Sequence, residues 1–300
     1  MGELYIGACS WTDKTLLDSG KFYPPEVKTP EERLRFYATQ FPIVEVDGTY
    51  YALPTQRMAG LWAERTPPSF LFHIKAFSLF TGHAAQTRAL PRELRDSLPA
   101  EVQAKERVYL KDLPPEAQAE AWRLFREALL PLDSAGKLGM LLFQFRPWFV
   151  PRTESRDYIL HCQAQLPQYR LAIEFRNNLW LSERDLERTL AFLRDSKLAL
   201  VCVDEPQGFR SSAPPVAAAT TDLAYVRFHG RNRETWEKNG SAAWERFNYY
   251  YSDEELQEWA PRLQALQEQA RATHVLFNTN YQDQGMVNAQ KLAGLLESQP

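Results

Sequence analysis

Hydrophobic positions in this chain fall into short runs that recur along its whole length. The run at residues 198–203 is continuous rather than alternating, which is typical of a strand buried on both faces of a parallel sheet. The pattern predicts eight strands, at residues 4–9, 43–47, 70–75, 138–145, 170–175, 198–204, 223–229 and 274–278.

Helical patterns separate these runs. Thr29 to Glu32 forms a capping box with Pro30 at the first helical position, and a second capping box begins at Ser252. The second box predicts one helix that extends through Trp259 to Leu266. Further helices are expected to begin at Thr55, Pro115, Thr153 and Ser182 or Asp185, with a last one over 286–296.

Eight strands that alternate with helices predict the α/β class and a (β/α)₈ TIM barrel. The barrel is irregular, with long insertions at 78–114 after strand three and 230–251 after strand seven. Residues 205–222, after strand six, are rich in Pro, Ser and Ala and predict no helix. An open doubly wound sheet is the alternative, but its glycine-rich first turn is missing at 10–13. No linker divides the chain, so we expect one domain over residues 1–300.

Composition and charge narrow the function classes. The chain is 44% hydrophobic and 24% charged, which excludes a largely disordered, collagen-like or coiled-coil protein. Its 35 basic and 38 acidic residues create no overall basic field for non-specific nucleic-acid binding, although a local basic cleft remains open.

Targeting signals and cysteines indicate the compartment. The first ten residues do not form a signal peptide, and no apolar run reaches the roughly 18 residues of a membrane span, so no membrane partner is expected. Cys9, Cys162 and Cys202 are far apart and form no C-x-x-C pair. This usage favours a reducing cytoplasm and excludes a cysteine-built zinc site.

Ionisable and hydrogen-bonding residues follow nearly every predicted strand, where TIM barrels carry their active sites. Strands do not need such residues in order to pack, and burying charges without partners is costly. The sequence therefore predicts a polar cavity. Its candidate residues are Trp11, Glu45, Asp47, Tyr50, Lys75, Gln144, Glu174, Arg176, Asp204, Arg227, His229, Asn278 and Asn280.

The cations in this set indicate an anionic ligand. Guanidinium forks match phosphate and carboxylate oxygens, so we expect Lys75, Arg176 and Arg227 to hold the anion and Asn278 to orient it. In the alternative, the arginines pair with the strand-end carboxylates in a structural network.

The carboxylates offer a second chemistry. Glu45, Glu174 and Asp204 are candidates for general acid and base, or for ligands of a divalent cation such as Mg²⁺ or Mn²⁺. Glu45 and Glu174 could instead flank a glycosidic bond as the pair of a glycoside-acting enzyme.

Aromatic residues make up 13% of the chain, and six lie in the insertion after strand seven. Arginines are interleaved with these rings, and this pattern is typical of surfaces on which bases or sugars stack. The insertion is thus either the recognition surface of a non-catalytic binding protein or a loop packed onto the barrel rim. The rings belong to Trp236, Trp244, Phe247, Tyr249, Tyr250 and Tyr251.

Several segments taken together resemble the DUF72 family, also called YecE-like proteins, over essentially the whole chain. The resemblance implies a TIM barrel and likely positions for the site, but no reaction. The sequence departs from the family pattern at Asp47, Asn177 and Thr279. The similar segments are Ile6 to Trp11, Phe22 to Pro24, Val44 to Tyr51, Trp62 to Pro67, Phe72 to Ala76, Ile173 to Arg176, Val226 to Arg231 and Phe277 to Asn280.

The leading hypothesis is a cytoplasmic enzyme whose cleft binds a phosphate-bearing small molecule or nucleic acid. Hydrolysis of a phosphoester is the expected reaction, by analogy with the hydrolases that share this fold. The glycoside-acting enzyme and the binding protein remain open as alternatives, as do the substrate and the oligomeric state.

Overall fold

Eight parallel strands close into a barrel in the computed structural model, which describes residues 1–238 and 243–297. Their order around the barrel is β1-β8-β7-β6-β5-β4-β3-β2, and each strand pairs with its neighbours in parallel, as Ile6 does with Val275. The predicted (β/α)₈ barrel is confirmed. The strands are β1 (Glu3–Cys9), β2 (Ile43–Val46), β3 (Leu71–Lys75), β4 (Leu138–Gln144), β5 (Leu171–Glu174), β6 (Ala199–Asp204), β7 (Leu223–Phe228) and β8 (Ala272–Phe277).

Helices lie between the strands and bury their apolar faces against the barrel. Thr29 and Thr55 cap their helices as the sequence predicts, each accepting a backbone N–H with its side chain. The helices of the described residues are α1 (Lys14–Ser19), α2 (Pro30–Gln40), α3 (Gln56–Glu64), α4 (Arg92–Asp96), α5 (Ala100–Gln103), α6 (Pro115–Ser134), α7 (Thr153–Gln165), α8 (Leu186–Asp195), α9 (Ala243–Arg246), α10 (Asp253–Gln257), α11 (Ala260–Gln269) and α12 (Gln284–Glu297).

The irregular connections lie where the sequence predicts them. The insertion after β3 contains α4, α5 and a two-stranded antiparallel ribbon, in which Ala85–Gln86 pairs with Arg107–Val108. Phe80 stacks on Trp122 of α6 and fixes this insertion to the barrel wall. Residues 205–222 contain no helix, as expected.

One predicted helix is two helices. The capping box at Ser252 is present, but α10 ends at Gln257 and a separate helix, α11, begins at Ala260. Pro261 has no backbone N–H for a bond to the preceding turn, whereas the first turn of a new helix needs none there. The expectation of one continuous helix was therefore wrong.

Polar side chains fill part of the barrel interior. Met140 N donates to Nδ1 of His73 at 2.9 Å, so Nε2 of His73 carries the proton and donates to Nδ1 of His274 at 2.9 Å. Tyr225 stacks on His73, with 4.5 Å between ring centroids, and donates its hydroxyl proton to Glu45 above it. His274, His73, Tyr225 and Glu45 therefore form a continuous series of contacts through the barrel interior to the C-terminal ends of the strands.

Burial lowers the pKa of His73 to about 3, so the ring is neutral in the folded protein at neutral pH. Because an unfolded histidine titrates near pH 6.5, the contribution of His73 to stability is present above that pH and is lost as pH falls toward 3. We expect NMR of the folded protein to show no titration of His73 between pH 7 and about pH 4. A folded-state titration near pH 6.5, like that of the urea-unfolded chain, would contradict this assignment.

Candidate functional site

Arg227 occupies the centre of the barrel at the C-terminal ends of the strands and is fully buried. Its Nη2 donates to Oε1 of Glu45 at 2.7 Å, and its Nη1 donates to Oε2 of Glu174 at 2.5 Å. The three residues come from β7, β2 and β5, and strand alternation directs Tyr225 and Arg227 to the same inner face. A single guanidinium therefore joins two carboxylates that belong to different sides of the barrel.

Glu174 and Arg227 keep their charges although both are buried. Burial alone would raise the pKa of Glu174, but the charges of Arg227 and Arg176 and the hydrogen bond from His229 hold that pKa well below its ordinary value. Burial likewise opposes the charge of Arg227, yet the two carboxylates raise its pKa well above the ordinary value. Gln144 adds a hydrogen bond to Oε1 of Glu174 at 2.5 Å.

His229 extends the cluster toward the end of β8. Its Nε2 donates to Oε1 of Glu174 at 3.0 Å, and its Nδ1 accepts from the amide of Asn278 at 3.0 Å. Burial lowers the pKa of His229 to about 4, so the neutral ring with this tautomer satisfies both contacts. Asn280 donates to Asn278 at 3.1 Å and approaches Oδ2 of Asp47 at 3.4 Å.

Lys75 and Asp47 lie at the C-terminal ends of β3 and β2, on the rim of the barrel opening that we call the mouth. The ammonium of Lys75 is 4.9 Å from the ring centroid of Tyr50 and has no hydrogen-bond partner within residues 1–238 and 243–297. Burial and the charge of Arg227 lower the pKa of Lys75. Burial also raises the pKa of Asp47 to about 6, against the effect of Lys75. This lysine therefore retains capacity for a ligand.

Arg176 links the cluster to β6 and to the loop after β7. Its Nη1 lies 3.3 Å from Glu174 and 3.2 Å from Oε2 of Glu205. Trp236 of the loop covers its guanidinium, with 4.5 Å from Cζ to the ring centroid, and is itself buried. Burial raises the pKa of Glu205 to about 8, so this carboxyl carries a proton at neutral pH. Its other oxygen accepts Ala213 N at 2.6 Å.

His83 reaches the mouth from the insertion after β3. Its ring centroid lies 5.4 Å from that of Tyr50. Burial and the charges of Lys75, Arg146 and Arg176 lower its pKa to about 4. Thr81 donates its hydroxyl proton to Ser78 O, so Nδ1 of His83 donates to Thr81 at 2.9 Å and Nε2 keeps a lone pair.

Four of the candidate residues differ from their expected environment. Glu45 and Glu174 bind Arg227 instead of standing open, which counts against a glycoside-cleaving pair, and Arg227 has no free fork for an anion. Asp204 accepts hydrogen bonds from Arg231, Tyr251 and Trp259, at 2.7–3.3 Å. It fixes the loop after β7 in place, and these donors occupy both of its oxygens.

Trp11 lines a separate pocket of about 410 Å³ that also touches Asp47. The Trp11 ring packs edge-on against Trp62, with 5.7 Å between centroids. The pocket borders the mouth at the ends of β1 and β2, so Trp11 lies beside the polar cluster and not within it.

The candidate residues predicted from the sequence do not include His83 or Glu205, and Trp236 enters there only as one ring of the insertion after strand seven. His83 and Trp236 come from insertions, where no periodicity indicates which side chains turn toward the barrel. Glu205 follows Asp204 at the end of a continuous apolar run. Because that run does not alternate, the sequence does not indicate whether the Glu205 side chain faces the barrel interior. Arg146 directly follows the predicted strand at residues 138–145, so its place beside the other strand-end cations can be read from the sequence.

The aromatic loop after β7 packs inward. Trp236 and Tyr251 are buried, and Tyr251 donates to Asp204 at 2.7 Å while accepting Gly230 N at 2.9 Å. Gly230 has φ +83°, and an added Cβ would lie 2.6 Å from that of Tyr249. Residues 239–242 and the side chain of Trp244 lie outside the described part. The described rings of the loop mostly cover the mouth, although Tyr250 is half exposed.

The described residues contain no preformed cluster of metal ligands. Across residues 1–238 and 243–297, no group of three or more His, Cys, Asp or Glu is arranged to hold an ion. Glu45 and Glu174, the candidate ligands for Mg²⁺ or Mn²⁺, direct oxygens at Arg227 instead. These residues therefore do not fit a divalent cation as they stand.

Among the described residues, every helix is too short or too polar to cross a bilayer.

The fold and this mouth define a TIM-barrel protein with a buried arginine–carboxylate cluster at the C-terminal ends of its strands. A family model described as "Protein of unknown function DUF72" matches residues 5–300. The chain belongs to this DUF72 family, and the resemblance seen in the sequence is confirmed.

Individual relatives agree with this membership. UPF0759 protein YunF of Bacillus subtilis (strain 168) is 33% identical over 299 residues, covering 98% of this chain and 95% of the relative. The crystal structure of a DUF72 family protein from Thermotoga maritima MSB8 is 30% identical, with a TM-score of 0.77, and the match covers 99% of this chain and 100% of that one. A DUF72 family protein from Enterococcus faecalis V583 is 25% identical, with a TM-score of 0.78, over 99% of this chain and 96% of that chain.

Replacing Arg227 tests how much its ion pairs with Glu45 and Glu174 contribute to the stability of the fold. Arg227→Met should lower the free energy of unfolding by about 3–5 kcal/mol, because two buried carboxylates lose their counter-charge. Urea unfolding at pH 7 measures the change. Arg271→Met, at a side chain 65% exposed, is the matched control and should change stability by less than about 0.5 kcal/mol. Equal effects of the two substitutions would contradict the structural role.

Proposed function

We propose that this protein is an enzyme that binds a phosphate-bearing ligand at the C-terminal mouth of its barrel and hydrolyses a phosphoester there. The observation that carries the proposal is Lys75, a cation at the mouth with no hydrogen-bond partner in the described ranges, accompanied by Arg176. Preorganised cations of this kind stabilise the charge of a phosphoryl group.

Arg227 has a supporting role in this proposal. Its donors are taken by Glu45 and Glu174, so it sets the positions of the groups around it and does not contact the ligand. Lys75 and Arg176 take over the anion, and Asn280 with Asp47 orients the lysine side of the mouth.

Two groups beside the cations have protonation states suited to hydrolysis. His83 is neutral with a free Nε2 lone pair, so it serves as general base for the attacking water. Glu205 holds a proton at neutral pH and serves as general acid for the leaving oxygen. Water oxygen bonds to phosphorus and gives its proton to His83, the ester P–O bond breaks, and the leaving oxygen takes the proton of Glu205.

Calorimetric titration tests the binding step. Inorganic phosphate, a phosphosugar, a nucleotide and an oligonucleotide serve as probes, so that small-molecule and nucleic-acid ligands are distinguished. Lys75→Met and Arg176→Gln should each weaken binding by about tenfold or more, since each removes a charge-assisted contact of about 1.5–3 kcal/mol. Lys14→Met and Arg92→Gln, at side chains 85% and 86% exposed, are the controls. Binding unaffected by the mouth variants, or no binding of any probe, would reject the proposal.

The pH dependence tests the acid. Because Glu205 loses its proton as pH rises through about 8, hydrolysis should decline above that pH. Glu205→Gln should slow hydrolysis of an alkyl phosphoester by about a hundredfold. It should slow hydrolysis of nitrophenyl phosphate far less, because the nitrophenolate leaving group needs no proton. Equal losses on both substrates would argue against the acid role.

A further inference from the structure

A cavity of about 700 Å³ lies between the insertion after β3 and the loop after β4. Leu79, Phe145 and Phe149 give it an apolar wall, while Tyr109 and Trp148 stand at its opening with 40% and 62% of their surface exposed. We call this space the aromatic cavity. Its volume falls within the range of small-molecule binding sites.

The exposed rings of the aromatic cavity are each accompanied by a cation. Cζ of Arg146 lies 5.1 Å from the ring centroid of Trp148, and Nζ of Lys111 lies 5.9 Å from that of Tyr109. None of the lining residues in the described ranges is a carboxylate. The cavity thus combines flat apolar surfaces with uncompensated positive charge, which suits a planar ring that carries an anionic group.

Arg146 is held in place but incompletely bonded. Its Nη1 donates to Gly82 O at 2.5 Å, whereas Nε is buried and has no hydrogen-bond partner within the described residues. Gly82 has φ +76°, and an added Cβ there would lie 3.3 Å from Cζ of Arg146. The glycine therefore leaves room for the guanidinium, whose charge meets no carboxylate at salt-bridge distance among the described residues.

The aromatic cavity adjoins the mouth of the barrel. Thr81 and Gly82 line the cavity, and the next residue, His83, packs against Tyr50 at the mouth. The charge of Arg146 acts on His83 together with those of Lys75 and Arg176. Residues 81–83 therefore lie between the two spaces, and Arg146 on one side and Lys75 on the other both act on the imidazole of His83.

We propose that the aromatic cavity receives the ring of an aryl phosphoester whose phosphate lies on the cations of the mouth. The substrate class is then a phosphoester of a planar aromatic compound, with the ring stacked on Trp148 beside Arg146 and the phosphate on Lys75 and Arg176. The inference rests on the function proposed above, because it uses the same phosphate position. An aliphatic phosphoester would gain nothing from the exposed rings.

Titration calorimetry with naphthyl phosphate and glycerol phosphate tests this substrate class. Naphthyl phosphate should bind about tenfold more tightly, since stacking on an aromatic side chain contributes a preference of this size. Trp148→Ala should remove that preference and leave the affinity for glycerol phosphate unchanged. Trp148→Phe should restore part of it. Tyr250→Ala, at another half-exposed ring, is the matched control and should change neither affinity.

Each other outcome separates this inference from the proposed function. Equal affinity for the two probes, with binding still dependent on Lys75, overturns the aromatic substrate class and leaves the phosphate site standing. Naphthyl phosphate binding that needs Trp148 but not Lys75 overturns both the shared phosphate position and the proposed function. Absence of binding by either probe also overturns both.

Discussion

The ion pairs of Arg227 constrain everything above the middle of the barrel. The guanidinium comes from β7, and its two carboxylates come from β2, three strands away around the barrel, and from β5, two strands away. Because all three groups are fully buried, none can leave the cluster without leaving a partner uncompensated. Tyr225 below and His229 above are positioned on the same carboxylates. The mouth is therefore a fixed polar surface, and the groups that we propose to face a ligand are those at its edge.

The charges at that edge differ from the central ones in how far they are satisfied. Both terminal nitrogens of Arg227 donate to carboxylates, whereas the ammonium of Lys75 faces a ring and Arg146 donates to the backbone carbonyl of Gly82. Glu205 is kept protonated by burial, and His83 is kept neutral by burial and by neighbouring cations. A cluster that served only to stabilise the barrel would need neither a lysine without a hydrogen-bond partner, such as Lys75, nor a protonated carboxyl, such as Glu205. The division between a paired centre and an unpaired edge is what favours a binding site over a purely structural network.

Much of the fold was readable from the sequence because parallel strands buried on both faces give continuous apolar runs, and all eight appear close to their predicted positions. The break between α10 and α11 was missed, although Pro261 marks it. The strand-end residues were also readable, since Glu45, Glu174 and Arg227 each occur near the end of a run. Whether they pair with each other or with a ligand was not, because that depends on side-chain positions across the barrel. His83 was beyond reach for the same reason, as its place depends on how a long insertion folds back.

The polar interior has a thermodynamic consequence. Unfolding exposes apolar surface, which raises the heat capacity, and polar surface, which lowers it. The imidazoles of His73 and His274, the guanidinium of Arg227 and its carboxylates all enter water together when this barrel opens. The heat-capacity increment per residue should therefore be smaller than for a barrel filled with aliphatic side chains. Its stability curve is correspondingly flatter, and the protein keeps similar stability over a wider span of temperature.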